Sequence, residues 1–310
     1  MNRLRSTLAA LRDRGETALG LFLTAGGPTP EATLDVLLAA ASGDDAGPGA
    51  DFIELGMPFS DPVAEGLPIQ QASERALAAG MTMGGVFEIA RAFREASNTP
   101  LALMGYANPV LRYGIGDFCA AAQSAGVDGL ILPDLPPEEA DELDDAAALH
   151  DLATVYLVAP NTAAGRVELV AERATGFVYA VSQAGLTGAS LADADATARY
   201  LAATRERVHA RGLPMCVGFG IRTPDDAARL GREADGVIVG SALIRLADRL
   251  WGVSPAEPPE ASREVTASGE AHEHAALESE FTHSERLAQI AAWAASLKKG
   301  ATRHDSPASA

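Results

Sequence analysis

Phe52-Ile53-Glu54-Leu55-Gly56-Met57-Pro58-Phe59-Ser60-Asp61-Pro62-Val63-Ala64-Glu65-Gly66 is the stretch on which the fold turns. Its first four residues form an apolar run of strand length that carries one carboxylate to its C-terminal end, and a Gly/Pro-rich loop follows. Parallel α/β folds place their catalytic groups at that end of a strand. An ionisable side chain inside an apolar run is costly unless its pKa shifts or it finds partners, and a shifted carboxyl serves as a general acid or base. Glu54 is therefore a candidate proton-transfer group, with a salt-bridged structural acid as the alternative. Pro58, Pro62 and Gly66 hold Asp61 and Glu65 on a restrained segment close by.

Apolar runs of the same kind recur along the chain at Gly20 to Thr24, Leu101 to Met104, Gly129 to Leu132, Thr154 to Val158, Phe177 to Val181, Met215 to Phe219 and Val237 to Val239. Helical spacing fills the intervals at Pro30 to Ala41, Phe87 to Glu95, Pro137 to Leu149, Arg166 to Arg173, Ala194 to Ala210 and Pro224 to Leu230. Strand and helix alternating in this way imply a parallel sheet buried on both faces. Eight repeats within about 250 residues suggest an α/β fold of the closed (β/α)8 TIM barrel type, with an open doubly wound sheet as the alternative. An extra N-terminal helix, Arg3 to Arg14, is expected to close the barrel floor. Residues 1–250 would form the barrel, and 251–283 an acidic, flexible insertion with little apolar periodicity. Residues 284–298 would be a C-terminal helix packing back through Leu287, Ile290, Ala291 and Trp293, and 299–310 a disordered tail. Ser42 to Ala50 reads as a second, shorter insertion.

A net charge of -18 over 310 residues argues against a general nucleic-acid surface or attraction to anionic membranes. No run approaches transmembrane length, and the charged residues Arg12, Asp13, Arg14 and Glu16 interrupt any leader-like apolar core. Cys119 and Cys216 lie far apart in apolar or small-residue surroundings without metal-ligand spacing, so they read as reduced packing residues of a cytoplasmic protein.

Three glycine-containing segments fall at the ends of late strands: Thr187-Gly188, Gly218-Phe219-Gly220 and Gly240-Ser241. Glycine lets backbone approach an anion, and the amides opening the helix after Gly240 and Ser241 would face it, so a phosphate site is expected here. The alternative is that these glycines only turn the chain. Lys298 and Lys299 are the only lysines, and in the C-terminal tail they are expected to be remote from every strand end, which leaves an imine mechanism without its nucleophile. The six histidines fall in helices, linkers or the tail, so no histidine-rich metal site is expected and no cofactor is implied. Acid-base chemistry by carboxylates remains. Phe22, Tyr106, Tyr179 and Phe219 end strands where they would flank a planar substrate.

The strand glutamate followed by Gly-Met-Pro-Phe-Ser-Asp-Pro resembles the signature of the tryptophan synthase alpha-subunit family. The likeness continues in Leu103-Met104-Gly105-Tyr106-Ala107-Asn108-Pro109, Asp134-Leu135-Pro136, Ala184-Gly185-Leu186-Thr187-Gly188, Gly218-Phe219-Gly220-Ile221 and Val239-Gly240-Ser241. The resemblance implies a lyase that cleaves indole-3-glycerol phosphate to indole and glyceraldehyde 3-phosphate, within an αββα tetramer whose beta subunit receives the indole. It puts Glu54 on the family's first catalytic acid and Glu65 on the second, where the family usually has Asp. Phe22, Tyr179, Thr187, Gly188, Phe219, Gly220, Gly240 and Ser241 become substrate-binding candidates. Tyr106 stays open between core and ligand, and Asp134 is expected to orient a neighbouring loop. The alternative function is a lyase-inactive regulatory partner of the beta subunit.

Overall fold

The computed structural model describes residues 2–63, 65–182, 194–218, 220–253 and 281–302. Most of the acidic insertion, and the end of the expected tail, lie outside them. Eight strands close into one parallel barrel in chain order: β1 (Ala18–Thr24), β2 (Phe52–Gly56), β3 (Leu101–Met104), β4 (Gly129–Ile131), β5 (Ala153–Val158), β6 (Val178–Val181), β7 (Met215–Gly218) and β8 (Gly236–Val239). β8 pairs back onto β1 with Ala18 opposite Gly236, which closes the ring and settles the choice against an open sheet. The strands are buried almost throughout, as expected when helices cover one face and the barrel interior the other.

Before and between the early strands run α1 (Arg3–Asp13), α2 (Thr33–Ser42), α3 (Leu67–Ala78), α4 (Met83–Ala96), α5 (Ala107–Tyr113) and α6 (Ile115–Ser124). The later ones are α7 (Asp141–Leu149), α8 (Ala164–Arg173), α9 (Ala194–His209), α10 (Pro224–Gly231), α11 (Ser241–Leu250) and α12 (His283–Ala301). Thr223 caps α10 in a capping box with Asp226. Thr29 instead accepts from Ala32 N–H in a turn at 3.3 Å, and α2 starts only at Thr33, three residues inside the expected start. The expected Pro137–Leu149 helix is a 3-10 turn, Pro137–Glu139, followed by α7. α3 had no expectation behind it, because its buried face is Gln71, Ala72, Ser73 and Ala76, too small and polar to show as hydrophobic periodicity.

α1 closes the floor as expected. Asn2 Nδ2 donates to the Asp128 and Asp151 carbonyls at 2.7 and 2.6 Å, and Arg3 pairs with Asp128 at 2.8 Å. A repeated bracket stabilises the same end of the barrel. At the foot of each even-numbered strand, one residue donates its N–H to a carbonyl of the preceding odd strand, and its side chain accepts the N–H of that same partner residue. Asp51 brackets Leu19 at 2.7 Å, Asp128 brackets Leu101 at 2.9 Å, Thr175 brackets Thr154 at 2.9 Å and Asp235 brackets Met215 at 2.7 Å. Strand feet otherwise leave backbone donors in search of partners, and buried donors without them are costly.

Each bracket aspartate is also held by a basic side chain: Asp128 by Arg3 and Arg94, Asp235 by Arg205 with His209 Nε2 at 2.7 Å, and Asp51 by Lys298. Lys298 departs from the expectation. It is buried, with Nζ 2.9 Å from the Thr17 carbonyl and 2.7 Å from Asp51 Oδ2, so it sits against the N-terminal feet of β1 and β2. That is the end of the barrel opposite the C-terminal strand ends.

Candidate active site

Gly20, Gly56 and Gly218 define the inner face of the barrel. A Cβ on Gly20 would overlap the Phe52 ring, one on Gly56 the Phe22 ring, and one on Gly218 the Tyr179 phenol. Side chains two residues apart on a strand share a face. Glu54, between Phe52 and Gly56, therefore points into the barrel, in register with Phe22 on β1 and Ala102 on β3. Apolar residues fill the layer below, where the Phe52 and Phe177 rings lie 5.6 Å apart and the Phe177 and Tyr179 rings 6.1 Å apart.

Glu54 is completely buried, and neither carboxyl oxygen has a hydrogen-bond partner among the described residues. With no cation or donor beside it among the described residues, desolvation dominates and pushes its pKa up to about 8. The acid is thus protonated at neutral pH. Burial raises the pKa values of the adjacent Tyr179 and Cys216 well above the ordinary range, and an ionised Glu54 would raise them further. The salt-bridged alternative for Glu54 is excluded among the described residues.

Glu65 sits at the far end of the loop that follows β2, and only 6% of it is exposed. Burial pushes its pKa up to about 7, and a hydrogen bond from the Tyr106 hydroxyl pulls in the other direction. Gln70, from the first turn of α3, holds the Glu65 carbonyl at 2.8 Å. Asp61, in the same loop, is exposed. Asp134 orients a neighbouring element, accepting the first amide of α5, Ala107 N–H, at 2.9 Å.

Gly220 adopts φ +78°, a left-handed conformation that favours glycine, just past the end of β7. Gly240 precedes α11, so the free amides at that helix's N-terminus begin at Ser241 at the end of β8. Phe22 links this region to the acid: a Cβ on Gly240 would meet its ring at 3.2 Å. The structure thus brings Phe22, Glu54, Tyr179 and Gly240 to one end of the barrel. Thr187, Gly188 and Phe219 lie outside the described residues. An open groove of about 600 Å³ on the outer surface, lined by Leu38, Ala39 and Leu287 among others, carries none of these groups.

Thr24 was not among the expected site residues, and Tyr106, a candidate to flank the substrate, contacts the loop after β2. The Thr24 hydroxyl, two residues beyond Phe22 on the same face, is buried without a partner among the described residues. A polar residue ending an apolar strand was its only sequence signal. Tyr106 is buried and reaches into the loop after β2, its hydroxyl accepting Val63 N–H at 3.0 Å.

The described residues hold no cluster of His, Cys, Asp or Glu fit for a metal ion, and both cysteines are free and buried. None of their helices is long and apolar enough to cross a membrane.

Fold and site together define a (β/α)8-barrel with carboxyl groups buried near the C-terminal end of β2 and in the loop that follows it. The chain belongs to the tryptophan synthase alpha chain family, whose model matches residues 8–276. A tryptophan synthase alpha chain from Laribacter hongkongensis is 49% identical over 246 residues, covering 79% of this chain and 90% of that protein. One from Alkalilimnicola ehrlichii is 48% identical over 261 residues, covering 84% and 90%. Among solved structures, the alpha subunit from Legionella pneumophila superposes with a TM-score of 0.75 at 35% identity, covering 97% of this chain and 98% of that one. As a member of this family the chain is a carbon-carbon lyase of tryptophan biosynthesis that cleaves indole-3-glycerol phosphate.

Proposed function

We propose that Glu54 and Glu65 divide the proton chemistry of this cleavage between them. The observation that carries the reading is Glu54 itself, an acid wholly buried and unpartnered among the described residues at the end of β2, with a pKa pushed up to about 8. Protonated Glu54 delivers its proton to indole C3, which places positive charge on the ring nitrogen. The Glu65 carboxylate accepts the ring N–H hydrogen bond and stabilises that charge. The carboxylate left on Glu54 then takes the proton of the side-chain hydroxyl on the carbon attached to C3. The C–C bond breaks, its electrons return to the ring, and indole and glyceraldehyde 3-phosphate are formed with Glu54 protonated again. Each such positioned transfer contributes about 10²–10⁴-fold.

The turns at Gly220 and Gly240, with the amide end of α11 at Ser241, would hold the phosphate, joined by Thr187 and Gly188. Phe22, Tyr179 and Phe219 would flank the indole. In this reading the chain itself carries no cofactor; its partner is a tryptophan synthase beta subunit in an αββα tetramer in the cytoplasm. Residues 251–283 serve as an acidic insertion outside the catalytic unit. Indole release from indole-3-glycerol phosphate, measured on the purified chain with and without a beta subunit, tests the assignment. Turnover in both, faster with the partner, is expected; none in either would leave only a ligand-binding regulatory role.

A further inference from the structure

We propose that Tyr106 is a positioning residue for Glu65, fixing through its hydroxyl where the longer side chain delivers its carboxylate. The inference rests on the reading above that Glu65 receives the indole N–H. Three contacts tie the loop after β2 to this one phenol. The ring stacks on Phe59 with centroids 4.9 Å apart and planes 30° apart. The hydroxyl oxygen accepts Val63 N–H at 3.0 Å, and its proton goes to the Glu65 carboxyl.

The phenol is itself firmly placed. Tyr106 is 2% exposed and stands between the end of β3 and the start of α5, whose first amide is held by Asp134 from the turn after β4. The anchor is therefore set by two adjacent strands, and the loop hangs from it. Glutamate has one more rotatable bond than the family's usual aspartate, so its carboxylate explores more positions and loses more freedom when fixed. A hydrogen bond from a rigid donor selects one of them. The same bond favours the ionised carboxylate over the neutral acid, which is the form that accepts the indole N–H.

Tyr106→Phe removes the hydroxyl and keeps the ring. Two readouts are compared with the parent: kcat and KM for indole release, and the pH titration of the Glu65 side-chain carboxyl by carbon-13 NMR, assigned through its loss in Glu65→Gln. The expected result is a fall in kcat of about 10-fold or more with KM altered far less, since misplacement near 1 Å costs on the order of 10²-fold. The Glu65 titration should also move upward by roughly half to one pH unit. Either readout left unmoved overturns the inference. If Glu65→Gln is inactive while Tyr106→Phe matches the parent, only the role of Tyr106 falls. If Glu65→Gln turns over like the parent, the role of Glu65 and this inference fall together.

Discussion

Lys298 in the last helix and Asp51 at the foot of the second strand form a buried ion pair, Nζ to Oδ2 at 2.7 Å, and the same carboxylate oxygen accepts the Leu19 amide. One interaction thereby joins the C-terminal helix, the first strand and the second strand at the barrel floor. Lys298→Ala leaves Asp51 charged and largely enclosed, and breaking one side of a buried pair costs about 3–5 kcal/mol. Denaturant titration should show a loss of this order with kcat little changed, because the floor lies at the far end of the strands. A variant within about 0.5 kcal/mol of the parent would mean that α12 is held by apolar packing alone.

The raised pKa of Glu54 carries a stability consequence whose sign is fixed. In the unfolded chain the carboxyl titrates near 4.5, and in the folded barrel near 8. Folding is therefore unpenalised below pH 4.5, and stability declines as pH rises from there through 8, where the buried group must lose its proton. Glu54→Gln removes that titration. The stability difference between parent and variant should grow in favour of the variant across this window, to at most a few kcal/mol. Parallel stability curves for the two proteins from pH 5 to pH 8 would show that Glu54 titrates normally.

Gly218 and Tyr179 compete for the same space on the inner face. A Cβ on Gly218 would overlap the Tyr179 hydroxyl and lie 2.7 Å from two carbons of its ring. Gly218→Ala is expected to displace Tyr179 and disturb the neighbouring Glu54, lowering kcat/KM by at least about 10-fold, given the sensitivity of such sites to small displacements. Adding Tyr179→Phe should recover part of the loss, since it removes the hydroxyl and keeps the ring. A double variant no better than Gly218→Ala would place the damage elsewhere.

Glu65 provides a separate check on the second acid. Glu65→Ala should reduce turnover by at least about 10²-fold, as for the loss of a positioned proton acceptor. Glu65→Asp should keep measurable activity, because it restores the residue common in the family even though the Tyr106 hydroxyl is placed for the longer chain. If Glu65→Ala cleaves at the parent rate, the second carboxylate lies elsewhere.

The barrel was legible because every strand is a short apolar run buried on both faces, and an acid inside one such run, Glu54, stands out against residues that bury without cost. α3 was hidden because Gln71, Ala72, Ser73 and Ala76 make its buried face. Lys298 is hidden for a related reason: a lysine beside Lys299 reads as solvated, and a carboxylate 247 residues away helps make its burial tolerable. The link from Tyr106 to the loop joins residues 43 apart through a loop conformation with no periodicity to betray it. Glu65 was found through its motif, since neither its burial nor its partner is written in the residues around it.

Single-turnover release of indole from indole-3-glycerol phosphate by parent and Glu54→Gln tests whether Glu54 is the proton donor and acceptor of the cleavage. The amide matches the acid in shape but cannot exchange the proton, so cleavage should fall by at least about 10²-fold while affinity for a phosphate-bearing product analogue stays close to that of the parent. Comparable indole release by the two proteins would remove Glu54 from the mechanism.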